Sequence, residues 1–215
     1  MLNLIYKDFK LAIHPFFLVL PFITGALMLI PGWLYFLVLM YFCFFTVPNV
    51  FANYKTNNDL MLSTLMPIKR KDIVASRILS IMALEVFHIG VAIIYAIINR
   101  NLYDQTWFYF IQPNVAYFGL SFIMFALFNV TLFPIYFKTG YTYGVATVVS
   151  TTVMLIFAGA MEYFAITNRA MGQFLRGSEG LMSHIGLLIF GIVVFMVLGL
   201  LGYKLSVKRF EKVDI

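Results

Sequence analysis

Charge is scarce in this chain. Asp, Glu, Lys and Arg make up 11% of its 215 residues, against 62% hydrophobic residues. Soluble domains carry roughly 25% charged residues, and a soluble chain this apolar could not cover its surface with polar groups. The scarcity excludes a soluble protein, and the length allows a single transmembrane domain over residues 1–215 with no soluble domain beside it. One cysteine, Cys43, lies in an apolar run and excludes an intrachain disulfide. His14, His88 and His184 lie on separate segments without metal-ligand spacing, and His-Glu-x-x-His does not occur, so no metal site is expected. Gly-x-x-x-x-Gly-Lys-Ser/Thr is missing too, so the chain has no phosphate-binding loop and is not expected to hydrolyse ATP. Internal repeats are not evident. No small-x-small cleavage site follows Lys7 and Lys10, so the first apolar run does not read as a cleaved leader.

What is present is apolar length. A bilayer core needs about 20 apolar residues per helix, and six spans are predicted near Phe16–Ile30, Trp33–Ala52, Ile78–Ile98, Val115–Phe137, Tyr143–Ile166 and His184–Tyr203. Residues 1–14 read as an interfacial amphipathic helix, with Leu2, Ile5, Tyr6, Phe9 and Ile13 on one face and Asn3, Lys7, Lys10 and His14 on the other. Pro15 separates it from the first span. The fold class is therefore an all-α integral membrane protein. Pro21, Pro48 and Pro134 lie within spans or near their ends and can kink them. Gly140 and Gly144 have the spacing that lets two membrane helices approach closely, or else mark a loop.

Charge sets the orientation. Lys7, Lys10, Lys55, Lys69, Arg70, Lys71, Arg77, Lys138, Lys204, Lys208, Arg209 and Lys212 fall on one side. Arg100, Arg169 and Arg176 fall on the other. The positive-inside rule places both termini in the cytoplasm and leaves 99–112 and 167–183 as external loops. Trp33, Tyr103, Trp107 and Tyr109 sit near the outer boundary, as an aromatic belt would. The formal net charge of +6 then belongs to loops facing anionic lipid rather than to a nucleic-acid surface.

The cytoplasmic loop at 54–77 is the most informative segment. It holds five of the 15 Lys and Arg residues, and it carries its own helix signals. Asn57 or Asn58 can cap a helix, and Asp59 would sit in its first turn, where negative charge suits the dipole. Leu60, Met61, Leu62, Leu65 and Met66 supply an apolar surface, and Pro67 ends it. Such a helix either lies on the membrane or docks into a groove on a partner. A second helix from about Asp72 should run on into the third span.

Two acids stand apart. Glu85 lies inside the third span, with His88 one turn later on the same face. At that depth a carboxylate must be protonated, face a wet cavity or pair with a cation. We expect Glu85 and His88 to face the interior, along a substrate path. Glu162, near the outer end of the fifth span, either snorkels to the outer surface or serves a bundle interior. Asn129-Val-Thr131 matches a glycosylation triplet but sits at membrane depth, where it has no such meaning.

The stretch Leu60…Leu65-Met-Pro-Ile-Lys-Arg-Lys-Asp-Ile-Val-Ala-Ser-Arg77 resembles the leucine-proline, basic, Ile-Val, basic signature of ATP-binding cassette type-two permeases. Phe133-Pro-Ile-Tyr-Phe-Lys-Thr-Gly140 is similar to a second signature of that group, and Met1…Lys7-Asp-Phe-Lys10 to its interfacial helix. The layout resembles that of the small bacterial permeases of the phenol-soluble modulin exporter type. The resemblance implies a permease subunit of an ATP-driven exporter in the bacterial cytoplasmic membrane. It implies dimers, with a second copy or a related permease. A separate ATPase subunit would bind ATP and Mg and press on the loop between the second and third spans, called the coupling helix. Substrates would be amphipathic or hydrophobic peptides, antibiotics or lipids. By position the ATPase-coupling residues are Asn58, Asp59, Leu60, Leu62, Leu65, Met66, Pro67, Lys69 and Arg70, with Asp59 as the early acidic residue. The re-entrant helices of larger relatives would be reduced or absent in Thr167–Ser183.

Two other classes remain open at this stage. One is a regulatory or immunity-type membrane protein without transport. The other is an intramembrane enzyme using Glu85 and His88, although the paired motifs such enzymes need are missing. A copurifying ATPase would favour the exporter over both.

Overall fold

The computed structural model describes residues 2–103, 109–140, 142–177 and 180–213, and every regular element among them is a helix. Helix α1 (Leu2–Leu11) meets the next segment at a bend of 74° across His14-Pro15. It therefore lies across the end of the bundle, as an interfacial helix should. Helix α2 (Phe16–Gly25) tightens into a 3₁₀ turn at Ala26–Leu29. Together they rise roughly 23 Å, less than a hydrocarbon core of about 30 Å. Among the described residues five helices are long and apolar enough to cross a bilayer, and six if α1 and α2 with its 3₁₀ turn count as one bent span.

Helix α3 (Tyr35–Thr56) widens into a π turn at Phe42–Thr46, just before Pro48. Proline lacks the N–H that a carbonyl one turn back would use, and the wider turn re-registers the ladder there. Helix α4 (Asp59–Leu65) follows within three residues. Met66 is extended, as a residue before proline must be, and α4 ends there. Helix α5 (Arg70–Leu102) then runs unbroken for 33 residues, through the predicted third span and beyond both its ends.

Helix α6 (Val115–Thr139) starts on an Asn114 cap that accepts from Tyr117 N at 3.0 Å, and ends at Gly140. Helix α7 (Gly144–Thr167) and the eight-residue α8 (Arg169–Arg176) lead to α9 (Leu181–Phe210). Asn168 caps α8 by accepting from Ala170 N and Met171 N. Between α7 and α9 the described residues form one short helix, α8.

Helix α6 is the centre of the bundle: 67% of its apolar window is buried, against 22% for α7 and α9. Val148, Ile156, Val193 and Leu200 on those two helices are exposed, a surface suited to acyl chains. Phe36, Phe42, Tyr117, Phe125, Phe128 and Phe133 fill the core. The close helix approach is between α6 and α9. A Cβ at Gly119 would lie 2.7 Å from Leu187 O, and one at Gly191 would strike the Gly119 backbone. The Gly140–Gly144 spacing plays no such part. Gly140 takes a left-handed φ of 72° to end α6, and Gly144 faces open space. Trp107 of the expected aromatic belt, and Tyr141 between those glycines, lie outside the described residues.

Candidate functional site

Helix α4 has two unlike faces. Met61, Leu62 and Leu65, with Met66 just after, are 55%, 56%, 74% and 41% exposed. Asp59, Leu60 and Ser63 on the other face are buried. The exposed face is apolar and lies beyond the ends of the spans, on the side that holds most of the chain's Lys and Arg. Asn58, Pro67 and Lys69 flank it and are exposed too. Asn58 turns the chain with a left-handed φ of 47° and makes no side-chain cap. Asn57 instead donates to Leu11 O at 3.0 Å, joining the loop to α1.

The buried face is fixed by charge. Asp59 accepts from Lys7 Nζ at 2.6 Å on one oxygen and from Arg77 Nη2 at 2.7 Å on the other. Lys7 also donates to Ser63 Oγ at 2.8 Å. Arg77 donates to the Tyr136 hydroxyl at 2.6 Å and lies 4.3 Å from the centre of the Tyr54 ring. One carboxylate between two cations thus ties α4 to α1, α5 and α6. Leu60 adds a packing contact, since a Cβ at Gly140 would come within 2.9 Å of its Cδ2. The two segments that carried the family resemblance therefore meet in space, Arg77 on Tyr136 and Leu60 on Gly140.

Arg70 works within the fold. Its Nη1 donates to the carbonyls of Phe210, Glu211 and Val213 at 3.0–3.2 Å, closing the C-terminal end of α9. Cations suit that end of a helix. Of the nine predicted coupling residues, Asp59, Leu60 and Arg70 anchor the element. Leu62, Leu65 and Met66 form its exposed apolar surface, and Asn58, Pro67 and Lys69 border it.

Asp8 on α1 is 1% exposed, with Lys7 Nζ 3.9 Å away. Burial pushes its carboxyl up to about 6, although Arg77 and Lys7 pull the other way and Asp59 adds to the rise. Sequence reasoning passed over Lys7, Tyr54 and Tyr136 as members of this cluster. Arg77 served only as a loop charge, yet it is 1% exposed.

Glu85 and His88 are both buried, on the inner side of α5, but they do not bond to each other. Asn129 Nδ2 donates to Glu85 Oε2 at 2.6 Å. His88 Nε2 lies 3.1 Å from Val38 O and 3.4 Å from Thr24 Oγ1, joining α5 to α3 and α2. Neither residue lines the cavity of about 370 Å³ at the end of the bundle opposite α4, which is bordered by Asn99, Arg100, Gln112, Asn114, Arg176 and His184. Glu162 is 7% exposed and turns inward rather than snorkelling: it accepts from Ile111 N at 3.1 Å, holding the segment before α6. No group of three or more His, Cys, Asp or Glu among the described residues could hold a metal ion.

The family model described as ABC-2 family transporter protein matches residues 3–211, nearly the whole chain. No curated protein and no solved structure matches it. The chain belongs to the ABC-2 transporter family.

Proposed function

We propose that this ABC-2 family member is the membrane-spanning permease subunit of an ATP-driven exporter, and that α4 is its coupling helix. The observation that carries this reading is the division of α4 between an exposed apolar face and a charge-pinned buried one. Such a helix can take a push from outside and pass it inward. Met61, Leu62, Leu65 and Met66 enter an apolar groove on a separate ATPase subunit, which holds ATP and Mg. Asp59 carries the displacement to α1 through Lys7 and to α5 through Arg77, and Arg77 passes it to α6 through Tyr136.

Substrates are amphipathic or hydrophobic molecules, in keeping with a bundle whose outer faces on α7 and α9 are almost wholly apolar. The excess of Lys and Arg at the α4 end supports a cytoplasmic position for that end and for both termini. A second copy or a related permease completes the transporter in a bacterial cytoplasmic membrane.

Replacing both Leu62 and Leu65 with Asp tests the reading. A charge in a dry apolar contact loses hydration without gaining a partner. The double variant should insert and fold but lose its ATPase in copurification by tenfold or more. Undiminished copurification would place the coupling contact elsewhere. A wild-type chain that brings down no ATPase from its native membrane would favour a regulatory role without transport.

A further inference from the structure

Glu85 and Asn129 sit in the interior of the bundle, 0% and 1% exposed. Glu85 is eight residues along α5 from Arg77, about 12 Å deeper at 1.5 Å per residue. One hydrogen bond joins the pair, from Asn129 Nδ2 to Glu85 Oε2. The other two polar atoms of the same pair, Glu85 Oε1 and Asn129 Oδ1, are buried and accept from nothing. Both are acceptors when Glu85 is ionised, and a buried acceptor left bare costs about 1–3 kcal/mol, more if charged.

Among the described residues no cation answers the acid. The described ion pairs do not include Glu85. On α5 itself, Arg77 is held by Asp59 and Tyr136. His88 has its Nε2 against the Val38 carbonyl, which only accepts. On α3 the titratable neighbour is Cys43, a thiol with no positive charge to offer. Helix α2 has no titratable residue, and those of α6 (Tyr117, Tyr136, Lys138) and α9 (His184, Tyr203 and beyond) lie towards the helix ends.

One added proton resolves both bare atoms. A hydrogen on Glu85 Oε1 can be donated to Asn129 Oδ1, closing a ring of two hydrogen bonds between carboxylic acid and carboxamide. Turning the carboxamide round would set its oxygen 2.6 Å from Oε2, which needs the same proton. We propose that Glu85 is a proton-binding site, and that the protonated carboxyl and Asn129 form a neutral clasp between α5 and α6. Parting the two helices breaks both bonds together. The carboxyl then meets water and passes its proton to it, leaving a carboxylate.

The test is direct and needs no transport substrate. Purified full-length protein in lipid nanodiscs is studied at about pH 8, where ordinary glutamates, titrating near 4.3, are ionised. The infrared difference between wild type and Glu85→Gln should show the carbonyl band of a protonated carboxyl in the wild type alone. Asn129→Leu should shift that band to higher frequency as its hydrogen bond is lost. A difference spectrum that instead shows a lost carboxylate band overturns the proposal. If the variants do not fold, wild type labelled with ¹³C at the glutamate carboxyls and ¹⁵N at the asparagine amides serves in their place. The carboxyl in dipolar contact with an asparagine amide must then resonate as protonated, and a carboxylate shift there overturns the clasp.

Discussion

Two buried acids hold this bundle together, and they are satisfied in different ways. Asp59, near the α4 end of the bundle, sits between Lys7 and Arg77 and is answered by full charges. Glu85, a dozen ångströms or so deeper, has an uncharged amide as its partner. The difference follows depth. Near the boundary, long cationic side chains can reach a carboxylate while the lysine keeps part of its surface in water. Further in, each extra charge would have to leave water altogether, and a neutral partner costs less. The shallow cluster can transmit force because it is strong and joins four helices. The deep pair can hold two helices without charging the hydrocarbon.

Exchanging acid for amide at both places is the sharpest way to break this comparison, with the largest expected effect. Asp59→Asn keeps the shape but leaves Arg77 buried opposite a neutral group. Removing one member of a buried pair costs about 3–5 kcal/mol. Glu85→Gln keeps a neutral side chain that can still bond Asn129 and should cost less than about 1.5 kcal/mol. Chemical unfolding of the two variants in the same detergent checks it, and equal losses would end the distinction between the sites. Next in size is Lys7→Met. Lys7 is the more exposed partner of Asp59, so its loss should cost about 1–2 kcal/mol, well below that of Arg77→Met. A larger loss at Lys7 than at Arg77 would reverse the ranking of the two cations.

The smallest effect concerns pH. Asp8 lies beside the shallow cluster with its carboxyl raised to about 6. A raised acid favours its protonated form in the folded chain. Its contribution to stability is therefore full below about pH 4 and is lost as pH rises through about 6. Melting temperature should fall modestly across that window in the wild type, and Asp8→Asn should flatten the slope. An unchanged slope in the variant would remove Asp8 as its source.

Much of the architecture is legible because it is written in runs. The spans follow from apolar length, α1 from its period, and the exposed face of α4 from Leu62, Leu65 and Met66 before Pro67. Direction and partnership are not written locally. Arg77 counted for orientation as a loop charge, yet it points inward to a tyrosine 59 positions away. Asp59 reads as a first-turn acid that suits the dipole, but two cations from other helices claim it. Asn129 carries a glycosylation triplet without meaning at that depth, and its use is as the partner of Glu85, 44 positions earlier. Gly119 and Gly191 have no spacing pattern that would betray their contact, because each lies on a different helix.

Helix α5 has the form of a lever arm. It starts at Arg70, just after α4, and stays continuous to Leu102 with no proline inside it. Asn99 and Arg100, in its last turn, border the cavity at the end opposite α4. From Arg77 to Arg100 the rod spans about 35 Å. Pivoting on the Arg77 anchorage by about 5° would sweep its far end by roughly 3 Å, about the width of a water molecule. A tilt of that size would change the width of the cavity that Asn99 and Arg100 border, at the end of the bundle opposite α4.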